Sequence, residues 1–445
     1  MTWDNPNFVE KQLAKIDMAF FYMIVILLRT ITSGIDLVLD LLLGFTLTGG
    51  TREERLKAKE HYEQSAQLVS IWGRGAFSFV ARHYPENYWY FHKAYVHPEE
   101  ILRNEKATLQ GVTNTHAFFC ISRQDKDVYD TSLAPFVFLI QFFEAQELYI
   151  LPLKSMYRLA DELGDPKVEV SLLHMTARCG STLVSQMLAK VPRVRVMSEP
   201  WAFAHLHSMY IMKTISYPEY ERLMRATMRL QLKPEKEFNP THVMIKMSNM
   251  SSSAFRYYHE MFPKFKLMFI TRHPKPSMKS YWKVVKSLPQ MYYKTGQATQ
   301  WWFQHLPFPY EKVEWWDRLR EWYHEKRYAR AQPETHVILG MGGQLEEYLD
   351  TKDMYEKKLI FEDLKANPEK EIGDVFDVMG LDKKHIPAAL TALKEDSQAG
   401  TFGPMGTGHI NVSEDSFDAC DSVLKEIGSP FRLNMTMDEL RNLIY

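Results

Sequence analysis

The segment from Val168 to Leu188 reads VEVSLLHMTARCGSTLVSQML, and the fold of the chain is decided by it. Its first residues, up to Leu173, form a short apolar run that is typical of a buried strand. A tight segment follows up to Gly180, and an apolar-periodic helix is predicted to begin near Ser181. A strand, a tight loop and a helix N-terminus in this order predict a phosphate site, because backbone N–H groups and the positive end of the helix dipole converge there.

Four residues of this segment favour anion binding. Gly180 allows the backbone to approach an anion closely. Ser181 and Thr182 supply hydroxyl donors, and Arg178 supplies positive charge. The segment is not a Walker A loop, because that pattern requires a lysine directly after its second glycine, where Ser181 stands here, so magnesium-dependent nucleotide hydrolysis is disfavoured. The loop by itself is also consistent with an ordinary strand-to-helix turn that Ser181 caps.

The bulk composition narrows the classes of function. The chain has 445 residues, and a hydrophobic content of 45% is ample for a large core. The formal net charge of -1 argues against broad nucleic-acid binding, which needs a basic surface. The three cysteines, Cys120, Cys179 and Cys420, have the spacing of neither a disulfide framework nor a metal site. We therefore expect no metal ion and no nucleic-acid partner.

An apolar segment from Met18 to Leu47 dominates the first fifty residues, which we take as a separate N-terminal region, 1–50. Its polar residues recur at helical spacing and form one stripe on a very apolar helix: Arg29, Ser33, Asp36 and Asp40. Three interpretations are open. The helix is a signal anchor that crosses a membrane, an amphipathic helix at a membrane interface, or a helix packed within the protein.

Residues 51–165 are predicted to be mostly helical and contain no catalytic constellation, so their role is not indicated. Thr51 with Glu54 three residues later forms a capping box. Residues 135–163 carry a long apolar and aromatic helical pattern with a break near Pro152. The sequence LGDPK at residues 163–167 interrupts this pattern, and we place a domain boundary there, before a domain of residues 166–445.

Short apolar strands alternate with helices from Val168 onward, which predicts an α/β fold in which a parallel sheet carries helices on both faces. The ligand of such a sheet binds at the carboxyl ends of the strands. Polar residues stand at four of these predicted ends: Arg178 with Ser181, Glu199, Lys246 and Arg272. Strands commonly end in charged residues, but four such ends at one edge of a sheet are a stronger signal than any single one.

The segment from Val168 to the C-terminus resembles the sulfotransferase family, which uses 3′-phosphoadenosine 5′-phosphosulfate on a P-loop-like α/β fold. Residues 176–183, TARCGSTL, are similar to the family's 5′-phosphosulfate loop. Residues 269–280, FITRHPKPSMKS, are similar to its 3′-phosphate motif, with Arg272 at a strand end and Ser280 eight positions later. Residues 359–368, LIFEDLKANP, resemble a third family segment, and a tryptophan-rich helix predicted at 313–330 also fits.

The resemblance implies transfer of a sulfuryl group from this co-substrate to a hydroxyl or amine of an acceptor, in particular a glycan. The residues that it places on the co-substrate are Arg178, Cys179, Gly180, Ser181, Thr182, Arg272 and Ser280. Lys246 would stabilise the bridging oxygen, and Glu199 would take the proton of the acceptor. His205 and His207 are alternative bases, and the reaction requires no metal.

The sequence also departs from the family pattern. Cys179 stands where serine is common and His273 where aspartate is common, and the Arg-Lys-Gly element of the cytosolic members is absent. The chain is therefore more similar to the membrane-bound carbohydrate sulfotransferases, which implies a membrane-associated Golgi enzyme with a lumenal catalytic domain. An aromatic stretch at residues 294–310 is consistent with aromatic packing, which we favour, or with the lining of the acceptor pocket. Two other functions stay open, a nucleotide-binding protein of this fold without catalysis and a P-loop kinase.

Overall fold

The structure is a computed structural model, and it describes residues 8–74, 87–211, 213–287, 333–396, 414–426 and 428–445. The chain forms two compact units. The first unit comprises residues 1–167 with 200–206 and 214–239, and the second comprises 168–199 with 207–213 and 240–445. The aromatic stretch at 294–310 and the tryptophan-rich helix at 313–330 lie outside the described residues.

The elements are numbered here in chain order. The strands are β1 (Phe45–Thr46), β2 (Gly50–Thr51), β3 (Ala66–Arg74), β4 (Tyr88–Val96), β5 (Ala107–Val112), β6 (His116–Ser122), β7 (Ala145–Pro152), β8 (Glu169–Met175), β9 (Val194–Ser198), β10 (His242–Lys246), β11 (Lys266–Thr271) and β12 (Lys357–Ile360). The α-helices are α1 (Phe8–Leu43), α2 (Arg52–Glu60), α3 (Glu99–Arg103), α4 (Val137–Glu144), α5 (Leu153–Leu163), α6 (Ser181–Ala189), α7 (Trp201–Ile211), α8 (Tyr217–Gln231), α9 (Phe255–Met261), α10 (Pro274–Ser287), α11 (Pro333–Thr351), α12 (Phe361–Ala366), α13 (Pro368–Met379), α14 (Ile386–Leu390), α15 (Glu414–Glu426) and α16 (Met437–Ile444).

The second unit contains a five-stranded sheet in the order β12-β11-β8-β10-β9, and all of its strand pairs are parallel. This confirms the predicted α/β fold with a parallel sheet flanked by helices. The chain adds β9 and β10 on one side of β8 and then β11 and β12 on the other side. The connections after β8 and β11 therefore lead away in opposite directions, and the carboxyl ends of these two strands are the place where such sheets bind ligands.

The core of the second unit explains why its strands were predictable. Residues Leu267–Ile270 of β11 are at most 1% exposed, so both faces of this strand are covered. A parallel strand that is buried on both faces appears in the sequence as a continuous apolar run. The helix α6 is likewise buried on all sides from Ser181 to Leu188, and it packs with β8 and β9 in one apolar cluster.

The first unit contains a five-stranded antiparallel sheet in the order β4-β3-β7-β6-β5, which the prediction of a mostly helical region at 51–165 did not include. The long pattern at 135–163 divides into α4, β7 and α5. Strand β7 pairs with β3 on one edge and with β6 on the other, so its buried apolar run cannot be distinguished from a helix by periodicity alone. The local signals were sound, because the Thr51–Glu54 capping box is present and Pro152 ends β7.

Helix α1 packs the charged residues of its polar stripe against the rest of the first unit, and Ser33 of the same stripe is exposed. Asp36 is 8% exposed and accepts a hydrogen bond from the backbone N–H of Thr48 at 3.2 Å. Trp89 Nε1 donates to the hydroxyl of Thr32 at 3.1 Å, and Asp40 forms an ion pair with Arg55. Among the helices that the structure describes, none is both long and apolar enough to cross a membrane, so the expected transmembrane anchor is not found.

Candidate functional site

The loop between β8 and α6, residues 176–180, is held by side chains from distant parts of the second unit. Gln344 of α11 accepts a hydrogen bond from the backbone N–H of Ala177 at 2.8 Å. Ser277 of α10 donates to the carbonyl oxygen of the same residue at 2.7 Å. Both side chains are at most 2% exposed. Two polar side chains therefore hold the backbone of the predicted phosphate loop, and the sequence analysis gave neither of them a role. Ser277 lies within the quoted 3′-phosphate motif, and Gln344 lies in no motif.

Two residues of this loop adopt the left-handed backbone conformation. Arg178 has φ 60° and Gly180 has φ 89°. Gly180 is the N-cap of α6, and a Cβ built on it would lie 2.2 Å from Cδ2 of Phe361, so that only glycine fits. A left-handed arginine is unfavourable, and such strain persists where surrounding contacts hold a functional loop in place. The structure thus gives a steric reason for glycine at position 180, and the sequence could not show it because Phe361 is distant in the chain.

The side chains of the next three predicted residues point into the protein. Cys179 is fully buried in the apolar cluster around α6, and this burial raises the pKa of its thiol. The hydroxyl of Ser181 donates to Sδ of Met175 at 2.7 Å. Thr182 Oγ1 accepts a hydrogen bond from Nζ of Lys246 at 3.2 Å. Of these three side chains, only that of Thr182 contacts a charged group of the site, and the side chain of Cys179 has a packing role.

The two predicted catalytic residues form an ion pair. Nζ of Lys246 lies 2.7 Å from Oε1 of Glu199, and the side chains are 1% and 12% exposed. Lys246 ends β10 beside Ser198 of β9, so the parallel register brings Glu199 next to it. The backbone N–H of Glu199 also donates to the carbonyl of Lys246 at 2.8 Å. Glu199 has φ 54°, a second strained residue at this edge. The carboxylate supplies the partner that a buried ammonium group needs.

The residues of the predicted 3′-phosphate motif lie on the other side of the loop. Arg272 follows β11, and its Nε lies 3.5 Å from Oε1 of Glu362. The ring centroid of Phe361 is 4.8 Å from its Cζ. Ser280, which the resemblance assigned to the same phosphate as Arg272, accepts a hydrogen bond from Nε of Arg178 at 3.1 Å. The structure therefore connects the two predicted phosphate motifs through the Arg178–Ser280 bond.

The electrostatics of this region favour an anion. Burial lowers the pKa of Arg178, and the positive charge of Arg272 lowers it further. Burial also lowers the pKa of Arg272, whose Nε is buried without a hydrogen bond among the described residues. Two partly buried guanidinium groups whose charges oppose each other are stabilised by negative charge, which Glu362 supplies to Arg272 in part. A phosphate-bearing co-substrate fits these residues.

Phe361 and Glu362 are site residues that the sequence analysis quoted without giving them a role. Both belong to the segment LIFEDLKANP. Phe361 lies against Gly180 and beside Arg272. Glu362 also accepts a hydrogen bond from the backbone N–H of His273 at 3.2 Å. The segment was recognisable by its resemblance, but its neighbours are distant in sequence, so no local signal could assign it to the phosphate loop.

The two alternative bases are buried. His207 is fully buried, and its Nε2 is 2.7 Å from Oγ of Ser253. Desolvation lowers the pKa of His207 to about 3 and that of His205 to about 4. A neutral, enclosed imidazole is poorly placed to take a proton from a bound acceptor, so burial favours Glu199 over both histidines. Within the described residues, no group of three or more His, Cys, Asp or Glu side chains could hold a metal ion.

Comparison with known proteins found similar proteins among solved structures alone. No protein-family model and no curated protein matches the chain. Among solved structures, it is similar to a sulfotransferase from Alicyclobacillus acidocaldarius, at 15% identity over 63% of this chain and 96% of that chain with a TM-score of 0.32. It is also similar to the sulfotransferase domain of the Synechococcus PCC 7002 olefin synthase, at 14% identity over 58% and 96% with a TM-score of 0.27.

A sulfotransferase from Mycobacterium avium is a third similar structure, at 9% identity over 61% of this chain and 80% of that chain with a TM-score of 0.35. All three solved structures are sulfotransferases or a sulfotransferase domain. At such identities and TM-scores, the likeness carries no argument of its own about activity, and it does not address the carbohydrate-directed subgroup. The proposed function therefore rests on the residues of the site.

Proposed function

We propose that the chain transfers a sulfuryl group from 3′-phosphoadenosine 5′-phosphosulfate to a hydroxyl or amine of an acceptor. The observation that carries the proposal is the convergence of polar groups at the carboxyl edge of the parallel sheet. Arg178 and Arg272 follow the adjacent strands β8 and β11, and the Glu199–Lys246 ion pair stands at the ends of β9 and β10. Positive charge at such an edge, with a carboxylate beside the lysine, matches what this reaction requires.

Each residue has a defined part in the proposed reaction. The acceptor atom attacks sulfur, the bond from sulfur to the bridging phosphate oxygen breaks, and adenosine 3′,5′-bisphosphate leaves. Arg178 and the backbone near Gly180 hold the 5′-phosphosulfate, and Arg272 holds the 3′-phosphate. Lys246 stabilises the charge that gathers on the bridging oxygen. Glu199 accepts the acceptor's proton, which no other step consumes.

The ion pair links binding to catalysis in this proposal. Glu199 neutralises Lys246 as long as their 2.7 Å contact holds. A bound phosphosulfate would bring a second anion to Nζ of Lys246, and the ammonium group would then be shared between the two. This weakens the hold of Lys246 on the carboxylate, which makes Glu199 a better proton acceptor when the co-substrate is present.

We propose a glycan as the acceptor, since the sequence is more similar to the membrane-bound carbohydrate sulfotransferases than to the cytosolic group. The expected location, a Golgi membrane with a lumenal catalytic domain, stays a prediction. Transfer of labelled sulfate to a panel of glycans, lipids and phenols tests the acceptor class. Transfer to phenols alone would contradict the glycan proposal and leave the reaction class intact.

The nucleotide tests the reaction class directly. Thermal unfolding is measured with adenosine 3′,5′-bisphosphate and, separately, with ATP and magnesium. A rise in melting temperature with the first nucleotide alone is expected, because a ligand stabilises the state that binds it. A rise with ATP and magnesium alone would refute the proposal in favour of a kinase. A rise with the bisphosphate but no sulfate transfer to any acceptor would assign a binding function without catalysis.

A further inference from the structure

Helix α1 exposes an apolar face that runs from Met23 to Leu42. Nine residues on this face are between 38% and 75% exposed: Met23, Ile26, Leu27, Ile31, Ile35, Leu37, Val38, Leu41 and Leu42. We call these nine residues the outward face. It extends over 20 residues, or about 30 Å at the helical rise of about 1.5 Å per residue. Isolated exposed apolar residues are ordinary, but a continuous patch of this length marks an interaction site.

The charged residues of α1 between Met23 and Leu43 all lie away from the outward face. They are Arg29, Asp36 and Asp40, and each contacts the first unit. The packed side of the helix also includes Val25, at 2% exposure, and Thr32, at 5%. The helix is therefore amphipathic in an inverted sense, with its charged residues toward the unit and its apolar face outside.

The outward face is too wide for a single helical partner. Ile26 and Ile35 mark its two edges, and nine residues at 3.6 per turn place them about 180° apart around the helix. Two helices packed side by side cover a much narrower seam, so a second copy of α1 would leave both flanks of this face in water. An apolar layer that surrounds half of the helix would cover the whole outward face.

Thr30 is a polar residue that lies among the nine residues of the outward face, and its hydroxyl has a hydrogen-bond partner inside the helix. The hydroxyl of Thr30 donates to the carbonyl of Ile26 within the helix, at 2.9 Å. The backbone groups of a continuous helix bond to one another, which is the condition for contact with hydrocarbon. The nine side chains of the outward face are all apolar, and the exposed Ser33 lies beside its edge at Ile26.

Groups suited to a lipid–water boundary stand close to α1 in the same unit. Trp72 is 68% exposed and packs edge to face on Phe91, whose ring also contacts Trp89 beside Thr32. Exposed tryptophan is enriched at membrane interfaces. At the C-terminal end of α1, Arg52 pairs with Asp40 while its side chain is 58% exposed, so an accessible guanidinium group stands next to the helix, and cations of this kind attract lipid phosphates.

We propose that the outward face of α1 lies in the interfacial layer of a lipid bilayer, parallel to the membrane plane, and anchors the first unit to one leaflet. This inference is independent of the proposed sulfuryl transfer, because it concerns α1 and its contacts within the first unit. It also differs from a membrane-spanning anchor, since one side of the helix stays on the protein and only the other side enters the lipid.

Flotation of the full chain with vesicles tests the proposal. One set of vesicles is phosphatidylcholine alone, and the other contains phosphatidylserine in addition. The test variant is Ile31→Glu with Val38→Glu, two residues at the middle of the outward face. The control is Leu133→Glu with Leu393→Glu, which adds the same charge at two leucines that are each 40% exposed elsewhere. Both variants are checked for folding by circular dichroism and thermal unfolding.

We expect the parent and the control to float with both kinds of vesicle, with more bound when phosphatidylserine is present. The test variant should lose at least about tenfold in the bound fraction, since two charges enter the apolar layer. If it does not fold, Ile31→Ser with Val38→Ser is used and should lose binding in the same direction.

Three results would overturn the proposal. The parent could stay in the aqueous fraction with both vesicles. The test variant could bind as well as the parent, which would show adsorption by charge alone. Sedimentation could show a dimer that the test variant dissociates, with no vesicle binding, which would assign the outward face to a second copy. Sulfate transfer is not used as a readout, so failure here leaves the proposed function untouched.

Discussion

Replacing Gly180 by alanine adds one methyl group at the point where the phosphate loop meets Phe361. Two separate costs follow. The backbone at Gly180 has φ 89°, a conformation that costs an L-residue about 1–2 kcal/mol. The new Cβ would lie 2.2 Å from Cδ2 and 2.4 Å from Cε2 of Phe361, so the ring must move, and over-packing of this kind costs about 1–3 kcal/mol. We expect the free energy of unfolding to fall by about 2–5 kcal/mol in total.

Gly380→Ala is a matched control for the backbone cost alone. Gly380 has φ 70° at the end of α13, and a Cβ built on it meets nothing within 4 Å. This variant should lose only about 1–2 kcal/mol. The difference between the two alanine variants then measures the overlap with Phe361. Adding Phe361→Ala to Gly180→Ala removes that overlap. The double variant should therefore lose less free energy of unfolding than the two single variants lose in sum.

The same perturbation has a consequence for binding. The ring of Phe361 is 4.8 Å from Cζ of Arg272, so a displaced ring also displaces the guanidinium group. We expect Gly180→Ala to weaken binding of adenosine 3′,5′-bisphosphate by about tenfold or more, about 1.4 kcal/mol, the scale of one hydrogen bond to a charged group. Gly380→Ala should leave this affinity unchanged.

Denaturant unfolding and nucleotide titration by calorimetry measure the two effects. The reasoning is refuted if Gly180→Ala loses no more stability than Gly380→Ala, within about 0.5 kcal/mol, the usual error of additivity. An unchanged nucleotide affinity in a destabilised Gly180→Ala variant would show that Phe361 does not set the position of Arg272. The role of Phe361 would then be packing alone.

Three further predictions concern the ion pair, the second arginine and a buried histidine. Glu199→Gln should lower turnover by about 10²–10⁴-fold with nearly unchanged affinity for adenosine 3′,5′-bisphosphate; turnover within about threefold of the parent would remove it as the base. Arg272→Ala should weaken that affinity by about 1.5–3 kcal/mol by calorimetry, and equal affinity in a folded variant would sink the 3′-phosphate assignment. Burial lowers the pKa of His174 from 6.5 to about 3, so between these values the unfolded chain binds more protons. The free energy of unfolding should therefore fall as pH drops from 6.5, by up to about 1.4 kcal/mol per unit; denaturant unfolding at several pH values should show a smaller slope in His174→Gln, and an equal slope would contradict this.

The second unit could largely be predicted from local patterns. Two strands, His242–Lys246 and Lys266–Thr271, and the helix Pro368–Met379 have in the structure the bounds that their apolar runs and end residues indicate. Strands buried on both faces are short apolar runs with charged ends, and the glycine after α13 is left-handed, as a helix-ending glycine should be. Because ligands bind at the carboxyl ends of parallel strands, the candidate site residues could then be predicted to lie at one edge of the sheet.

The first unit shows where such patterns fail. Strand β7 lies inside a long apolar stretch between two helices, and its pairing with β3 and β6 joins residues that are far apart in the chain. Periodicity within a short window carries no information on those partners. Helix α1 shows the same failure in another form. Its polar stripe was visible in the sequence, but whether that stripe faces the protein or the solvent depends on what packs against it.

The sequence by itself determined the order of strands and helices in the second unit, the phosphate loop and the residue types at the strand ends, because these depend on neighbours a few positions apart. Only the tertiary structure decided which groups meet. Arg178 bonds to Ser280 across 102 positions, Glu199 pairs with Lys246, and Phe361 closes over Gly180. Each contact depends on how the parallel strands align and how distant helices pack, and no local pattern in the chain encodes those distances.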